Sequence, residues 1–481
     1  MSVGEKVFKA SAWSSLTEVI AKVVSPLVFL VLTRILSPSD YGIVAVATTL
    51  LTFIYIVSDL GTAKYIIQLR KEKESEKIKT YNVAFTTNFI LGVFLFISIF
   101  TFSDQIASLF KEPRSTDVIK VMSLQIIFYT LSSVQNALKR KALNFKFLFY
   151  TRLITIGTPA VLSIPLALMG GGVWAIVIGS VAGSFFNTII LWKFSDWKPK
   201  FYFNKKIFTE IFSNSIWNTI EEIFIWIPIF LDTYLISNFF SSRDLGLFTT
   251  SRTLYNTLKG LLLAPLLPVL YSAFSSLSES VDYNKKVLFS HKIVFTLSAV
   301  SCAIGFVYSE LIEKVLFNDE WVGISYILKW TFVLMGCTFF NEVIIQALRA
   351  KGYFKIIGFN TLITTLISLP FLYLSIHYGI ITYVIVRYGA LYLRFPFIFY
   401  KAKEKLGITF KECIIGVKYE IIAILLLILS STFIDIYIEN YYHNIIYKTV
   451  FVIIVMGLLI FKEKDVILFF KNKIFTKFLR K

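Results

Sequence analysis

Long apolar runs separated by short polar segments recur along the whole chain of 481 residues. Each run holds about 18–25 residues, which as an α-helix is long enough to cross roughly 30 Å of hydrocarbon. The pattern predicts an all-α polytopic membrane protein with about fourteen transmembrane helices. The expected spans cover residues 10–33, 41–63, 81–102, 116–137, 147–169, 172–193, 207–237, 244–270, 286–308, 325–347, 356–376, 378–400, 414–434 and 445–461.

Two stretches of this pattern, offset by 204 residues, carry the same uncommon residues in the same order. The matched residues are Trp13, Glu18, Ser37, Asp40 and Gly42 in the first stretch and Trp217, Glu222, Ser241, Asp244 and Gly246 in the second. Matched basic turns near residues 139 and 349 extend the repeat, so that each half holds six spans. Because six is even, both halves should enter the membrane in the same orientation, related by a pseudo-two-fold axis along the membrane normal.

This repeat predicts the domain organisation of the chain. Residues 1–200 should form an N-terminal six-helix bundle, and residues 206–405 should form a C-terminal one. Residues 412–481 should supply two further spans and a basic cytoplasmic tail. Repeats of this size in a polytopic protein are typical of transporters with a cavity between the halves, which alternates between the two sides of the membrane.

Composition and charge agree with a membrane location. Hydrophobic residues make up 56% of the chain and charged residues only 16%, which excludes a soluble protein of ordinary composition. The net charge of +19 could indicate nucleic acid as a partner. However, 37 Lys and Arg residues lie in or beside the connections on the side of the N-terminus, and 8 lie on the other side. This asymmetry is the positive-inside pattern, which places both termini in the cytoplasm and argues against nucleic-acid binding.

The cysteine and histidine residues show no spacing typical of a metal site, a disulfide framework or a catalytic group. Cys302, Cys337 and Cys413 have no paired spacing and lie in or beside apolar runs, so we interpret them as small buried hydrophobes. The three His residues are scattered along the chain. We therefore expect no catalytic residue, no metal site and no resident cofactor.

Charged residues inside the spans are the candidate functional residues. A charge at the centre of a membrane helix costs about 2.5–3.5 kcal/mol on insertion scales, so each needs a partner or water. The candidates are the bases Lys22, Arg252, Lys259 and Arg387 and the acids Glu18, Glu221 and Glu222. Glu18 and Lys22 are spaced i,i+4 and could pair on one helix face. These charges could line a water-filled cavity or form ion pairs that hold helices together, and the sequence leaves both interpretations open.

The repeated Ser-x-x-Asp-x-Gly segments come directly before apolar spans. Asp40 and Asp244 could be carboxylates of a membrane glycosyltransferase, but Ser or Asp at this position can also cap the free N–H groups of a helix start. We interpret both as structural caps. Pro26 and Pro228 fall in the equivalent first and seventh spans, where they are expected to bend the helix.

Three short segments resemble the polysaccharide transporter family. They are Leu36-Ser-Pro-Ser-Asp-Tyr-Gly42, Ser58-Asp-Leu-Gly61 and Lys139-Arg-Lys-Ala-Leu-Asn-Phe145. This family includes O-antigen, colanic-acid and teichuronic-acid flippases of the multidrug/oligosaccharidyl-lipid/polysaccharide flippase superfamily. The resemblance covers nearly the whole chain and is clearest over residues 10–150. It implies two six-helix bundles in a V shape plus two extra helices, and alternating access.

The resemblance also implies the cargo, an oligosaccharide on undecaprenyl pyrophosphate, moved from the inner to the outer leaflet of the bacterial plasma membrane. It further implies contact with polysaccharide assembly proteins. We then expect Arg252, Lys259, Arg387 and Lys22 to attract the pyrophosphate and glycan, because Arg and Lys suit phosphate electrostatically. Glu18, Glu221 and Glu222 would bind a coupling H+ or Na+, or balance those bases. The alternatives are a lipid II flippase, a multidrug exporter of the same superfamily, and a membrane polymerase or glycosyltransferase.

Overall fold

The described structure is helical. The computed structural model describes residues 3–69, 73–263, 266–276 and 282–463, and in these residues all regular structure is α-helix or short 3-10 helix. Eleven helices in the described ranges are long and apolar enough to cross a membrane. These findings confirm the predicted class, an all-α polytopic membrane protein. The basic tail predicted after residue 463 lies outside the described residues.

The chain divides into two compact units. Unit 1 comprises Met1–Thr250 with Leu316–Trp321, and unit 2 comprises Ser251–Val315 with Val322–Lys481. The boundary between the units falls inside a helix, whereas the sequence repeat places the corresponding boundary between residues 200 and 206. The division into bundles 1–200 and 206–405, with a C-terminal segment 412–481, therefore stays a prediction from the repeat.

Unit 1 contains nine complete helices and the start of a tenth. They are α1 (Val3–Ile35), α2 (Pro38–Asp59), α3 (Thr62–Gln68), α4 (Glu74–Thr101), α5 (Ser103–Leu109), α6 (Ser115–Lys141), α7 (Phe145–Leu168), α8 (Val173–Lys193), α9 (Lys205–Phe239) and α10 (Ser242–Leu263). A 3-10 turn, Asp319–Trp321, returns from later in the chain to join this unit. Both α1 and α9 continue through the prolines predicted to bend them, Pro26 and Pro228.

Unit 2 contains the rest of α10 and the helices that follow. They are α11 (Leu266–Ser276), α12 (Tyr283–Val307), α13 (Ser309–Leu316), α14 (Ile324–Gly336), α15 (Phe339–Ala350), α16 (Phe354–Ser375), α17 (Ile380–Gly389), α18 (Phe395–Leu406), α19 (Phe410–Gly416), α20 (Lys418–Tyr437) and α21 (Tyr441–Lys462). Helix α12 packs against α14, α15 and α20, and so lies at the centre of the unit.

The predicted span 378–400 is not a single α-helix, and the predicted span 325–347 is likewise divided, into α14 and α15. The apolar run 378–400 was expected to form a single helix, but the structure ends α17 at Gly389 and begins α18 at Phe395. A 3-10 segment, Ala390–Arg394, lies between them. Pro396 is in the first turn of α18, where its missing N–H costs nothing, whereas inside a continuous helix it would remove a hydrogen bond. Arg387 therefore lies in the last turn of α17, and Arg394 lies at the end of the 3-10 segment.

Helices α7 and α8 pack closely because α8 presents two glycines one turn apart. A Cβ on Gly179 would overlap the Ser163 hydroxyl, and a Cβ on Gly183 would come within 3.2 Å of the Thr155 carbonyl oxygen. Small residues spaced i,i+4 let helix backbones approach in a membrane, where the hydrophobic effect does not drive helix association. This contact is the most extensive helix pair in unit 1.

Replacing Gly179 by leucine should therefore weaken the fold of unit 1. The side chain has to displace α7, and overpacking of this kind costs about 1–3 kcal/mol. Thermal unfolding of the purified protein in detergent measures the effect. The matched control is Gly457→Leu in α21, where an added Cβ meets nothing within 4 Å. An equal melting temperature for both variants would show that the close approach of α7 and α8 is not needed for stability.

The starts of α2 and α10 confirm the predicted caps. Ser37 and Asp40 form a reciprocal capping box, in which the Asp40 N–H donates to the Ser37 hydroxyl and the Ser37 N–H donates to the Asp40 carboxylate at 3.0 Å. Ser241 and Asp244 repeat this arrangement, with the corresponding N–H donated to the carboxylate at 3.1 Å. Both aspartates are thus used by helix capping.

A partly buried ion cluster joins the last two helices to the rest of unit 2. Asp435 of α20 pairs with Lys329 of α14 at 2.9 Å and with Lys448 of α21. Lys329 also pairs with Glu310 of α13 at 2.8 Å. The side chain of Lys448 is 2% exposed and that of Asp435 is 22% exposed. Four helices therefore meet at two acids and two bases, whose charges balance.

Candidate functional site

Lys259, one of the predicted bases, lies in an ion pair within unit 2. Its ammonium is 2.7 Å from Glu342 of α15, with side chains 32% and 19% exposed. The same ammonium lies over the Phe339 ring, 5.7 Å from its centroid. Helix α15 places both partners, because Phe339 and Glu342 are three residues apart and share a face. Lys259 is thus a partly exposed base with one acidic partner.

Arg387 belongs to the same neighbourhood. It lies in the last turn of α17 and is within electrostatic range of Arg394, which is also within range of Glu342. Arg394 ends the 3-10 segment and is half-buried, and its backbone carbonyl accepts a hydrogen bond from the Asn360 side-chain amide at 3.3 Å. Arg394 is therefore a second arginine near Arg387. The cluster formed by Lys259, Glu342, Arg387 and Arg394 is called the basic cluster below.

Two further predicted bases, Arg252 and Lys22, lie on α10 and α1. Arg252 is half-buried on α10, seven residues and so two turns before Lys259 on the same face. Lys22 is half-buried on α1 in unit 1. Their proposed contact with cargo stays a prediction.

Glu222, the predicted acid of α9, is paired within unit 1. Its carboxylate is 2.6 Å from the ammonium of Lys64 on α3, and the two side chains are 44% and 52% exposed. Asp59 at the end of α2 is within electrostatic range of both. The Asp59 carboxylate accepts hydrogen bonds from the Thr62 hydroxyl and the Ala63 N–H, and so fixes the start of α3. Asp59, Lys64 and Glu222 are called the acidic cluster below.

The backbone at residues 60–61 positions Lys64 for this pair. Leu60 and Gly61 have φ of 47° and 71°, in the left-handed region that reverses the chain between α2 and α3. The Gly61 carbonyl accepts a hydrogen bond from the Ser215 hydroxyl of α9 at 3.2 Å, and a Cβ on Gly61 would come within 2.7 Å of the Ser215 Cβ. The Ser58-Asp-Leu-Gly61 motif thus turns the chain and seats α3 on α9.

The remaining predicted acids are Glu18 and Glu221. Their side chains lie outside the described part of the structure, so the predicted pair of Glu18 with Lys22 stays a prediction. Asp232 of α9, which was not among the predicted site residues, is buried at 1% exposure. Among the described residues, no group of three His, Cys, Asp or Glu side chains is arranged to hold a metal ion.

Sequence reasoning missed four residues of these clusters: Asp59, Lys64, Glu342 and Arg394. Arg394 lay within the predicted span 378–400, seven residues after Arg387, and that spacing was an available signal. Asp59 was quoted only as part of a family motif. Lys64 and Glu342 join partners 158 and 83 residues away, and no local pattern in the sequence connects such pairs.

Comparison with known proteins identifies the family. The family model described as "Polysaccharide biosynthesis protein" matches residues 31–326 of the chain. The chain belongs to this family. The match covers more than half of the sequence. It includes all three segments that carry the resemblance, so the predicted family is confirmed.

Two similar curated proteins have names that describe them as transport proteins. The succinoglycan biosynthesis transport protein ExoT of Rhizobium meliloti (strain 1021) is 24% identical over 293 residues, 60% of this chain and 58% of the relative. The putative O-antigen transporter of Shigella flexneri is 21% identical over 405 residues, 80% of this chain and 92% of the relative. The chain thus spans less than two thirds of the length of ExoT.

Solved structures confirm the fold. The lipid II flippase MurJ in an inward closed conformation matches with a TM-score of 0.73 and 14% identity, over 96% of this chain and 100% of that one. An inward-facing multidrug resistance MATE family transporter of the MOP superfamily matches with a TM-score of 0.65 and 15% identity, over 82% of this chain and 98% of that one. At these identities the likeness shows the fold, a multi-pass membrane fold shared with flippases and exporters.

Proposed function

We propose that this protein is a flippase that moves undecaprenyl-pyrophosphate-linked oligosaccharide from the inner to the outer leaflet of the bacterial plasma membrane by alternating access. Both termini would lie in the cytoplasm, as the distribution of Lys and Arg predicts. The product would supply a surface polysaccharide of the O-antigen, capsule or exopolysaccharide type. Family membership supports a polysaccharide cargo. The basic cluster is the observation that supports a pyrophosphate-linked lipid carrier.

The basic cluster suits a pyrophosphate chemically. Lys259, Arg387 and Arg394 bring three basic side chains to one neighbourhood, where Lys259 pairs with Glu342. Charges in such a position are costly unless they serve a ligand or water-filled path. Arginine can bind phosphate oxygens with two parallel N–H bonds, and lysine acts as a point charge.

The acidic cluster would supply the driving force. Among the described residues of this cluster, Asp59 and Glu222 lie beside one base, Lys64. The side chains of Lys64 and Glu222 are about half exposed, so a proton or a sodium ion can reach the carboxylate and compete with the Lys64 ammonium. The cycle would then couple inward movement of H+ or Na+ to outward movement of cargo. Polysaccharide assembly proteins would receive the glycan at the outer leaflet.

Reconstitution tests this function. The purified protein in proteoliposomes should move undecaprenyl-pyrophosphate oligosaccharide with a labelled glycan across the bilayer, measured by access of a glycan-oxidising reagent outside the vesicle. The control is protein-free vesicles, and two parallel arms offer lipid II and a cationic drug. We expect oligosaccharide movement at least about tenfold above the control, the change equivalent to about 1.4 kcal/mol. Movement of lipid II alone, or of cationic drugs alone, would replace this proposal with the corresponding alternative.

A further inference from the structure

A buried acid at the start of α20 belongs to neither of the clusters described above. Glu420 lies in the first turn of the helix and is 0% exposed. Its Oε1 atom is 2.6 Å from the Thr296 hydroxyl of α12, whereas its Oε2 atom is buried and has no hydrogen-bond partner among the described residues. An unpaired carboxylate charge is far more costly to bury than a neutral carboxylic acid. The burial therefore favours a proton on Glu420.

The Thr296 hydroxyl shows where this proton is held. Its oxygen lies 2.8 Å from the Lys292 carbonyl oxygen as well as 2.6 Å from Oε1 of Glu420. A hydroxyl has one hydrogen to donate, and an ionised carboxylate can only accept. If Glu420 were ionised, this one hydrogen would have to serve both contacts. With a proton on Oε1, Glu420 donates to Thr296 and Thr296 donates to the Lys292 carbonyl, so each contact has its own hydrogen.

An ion pair lies beside this acid. The Lys292 ammonium pairs with the Glu463 carboxylate at the end of α21, and the two side chains are 23% and 5% exposed. Lys292 is one turn before Thr296 on α12, so both side chains share the face that meets α20. Lys292 and Glu463 are each within electrostatic range of Glu420. The ammonium is therefore near two carboxyl groups, one from each of the last two helices.

Other titratable groups on these helices have other surroundings. Helices α12 and α21 pack against α20. His291 of α12 is 1% exposed, and its ring nitrogen lies 2.8 Å from a backbone carbonyl oxygen of α15. Lys448 of α21 pairs with Asp435 near the other end of α20, while Lys418 and Lys462 are exposed. Among the described residues, the ion pair at the start of α20 is thus the one that responds to the protonation of the buried acid.

We propose that Glu420 is a proton-binding site, occupied in this structure, and that loss of its proton transfers the Lys292 ammonium from Glu463 to Glu420. The O–H bond at Oε1 breaks, the proton passes to water at the partly exposed Lys292 side chain, and the electron pair stays on the carboxylate. The first turn of α20 stabilises this negative charge through the helix dipole. The flexible four-carbon stem of lysine lets the ammonium change partner.

The exchange makes the attachment of α21 depend on pH. On the predicted topology, the start of α20 and the end of α21 face the cytoplasm. At low cytoplasmic pH, Lys292 connects α12 to α21 through Glu463. At high pH the same ammonium connects α12 to α20 through Glu420. The site thus links the proton concentration of the cytoplasm to the two helices outside the repeat, and it can be measured without cargo.

Infrared spectroscopy of the purified protein tests the proton on Glu420. At about pH 7 exposed carboxylates are ionised, because their usual pKa is about 4. The C=O band of a protonated carboxylic acid should be present in the unmodified protein and reduced in Glu420→Gln. Glu404→Gln is the control and should leave the band unchanged, since hydrogen bonds from Lys401 and Lys405 hold the pKa of Glu404 at about 2. A band of equal intensity in Glu420→Gln and the unmodified protein would overturn the proposal.

Two further variants test the exchange of partners. Glu463→Gln removes the acid that holds Lys292, so Glu420 should ionise and pair with the ammonium. The band should then fall as far as it does in Glu420→Gln. Lys292→Met should leave the band at least as strong as in the unmodified protein, because neither acid then has this ammonium to stabilise its ionised form. A band that persists in Glu463→Gln would show that the two acids do not share Lys292, and the exchange would be disproved.

Discussion

Asp435→Ala should destabilise unit 2 by about 3 kcal/mol or more, the usual cost of removing one partner from a buried ion pair. The variant leaves Lys448, whose side chain is 2% exposed, without the carboxylate that faces it. Lys329 keeps Glu310 at 2.8 Å, so the uncompensated charge falls on Lys448. The melting temperature of the purified protein in detergent, together with denaturant unfolding, measures the loss.

Two further variants show whether the charge is the cause. Asp435→Ala combined with Lys448→Met removes both charges, and the double variant should recover most of the stability, because an apolar replacement of a buried pair is often neutral. Asp282→Ala is the matched control, since Asp282 pairs at 3.6 Å with Lys285 in an exposed i,i+3 pair of the same unit. A loss no larger than that of the control would contradict the role of the buried cluster.

Glu222→Gln should leave the protein folded and remove ion-driven transport. The pair with Lys64 is about half exposed, so its loss should change the free energy of unfolding by no more than about 1 kcal/mol. Transport driven by an imposed H+ or Na+ gradient should fall by about tenfold or more, because glutamine cannot bind either cation as a carboxylate does. The measurement is oligosaccharide movement in proteoliposomes with and without the gradient.

A charge exchange separates a coupling role from a structural one. The double variant Lys64→Glu and Glu222→Lys keeps an ion pair between α3 and α9 but moves the carboxylate off α9. If gradient-driven transport returns to the level of the unmodified protein, the pair acts only as a helix contact and Glu222 does not couple. Glu74→Gln is the control, because Glu74 pairs with Lys77 at 2.8 Å on an exposed helix start.

Local features of the fold were predictable from the sequence. Apolar runs predict membrane helices because a helix must satisfy its backbone hydrogen bonds within itself when no water is available. The caps at Asp40 and Asp244 were predictable for a similar reason, since a capping box needs only four consecutive residues. The prediction of one continuous helix over residues 378–400 was wrong, because hydropathy does not contain the effect of Pro396 on backbone hydrogen bonding.

The candidate sites were predictable only in part. Charged residues in apolar runs identified Lys259, Arg387 and Glu222, because their cost in a membrane depends on the residue itself. Their partners were not identified, because Glu342 and Lys64 are brought to them by helix packing. An ion pair needs its two atoms within about 4 Å, and hydropathy carries no information at that distance.

The sequence by itself determined the family, the membrane class, the repeat and the residue types at each helix start. Ser, Asp and Gly recur at positions 37, 40 and 42 and again at 241, 244 and 246, and the repeat alone makes these segments equivalent. Only the tertiary structure decided that the two equivalent segments touch each other through Gly42 and Gly246. The physical reason is that capping acts within one turn of helix, whereas a glycine contact requires two helices that the chain connects through about 200 residues to approach at backbone distance.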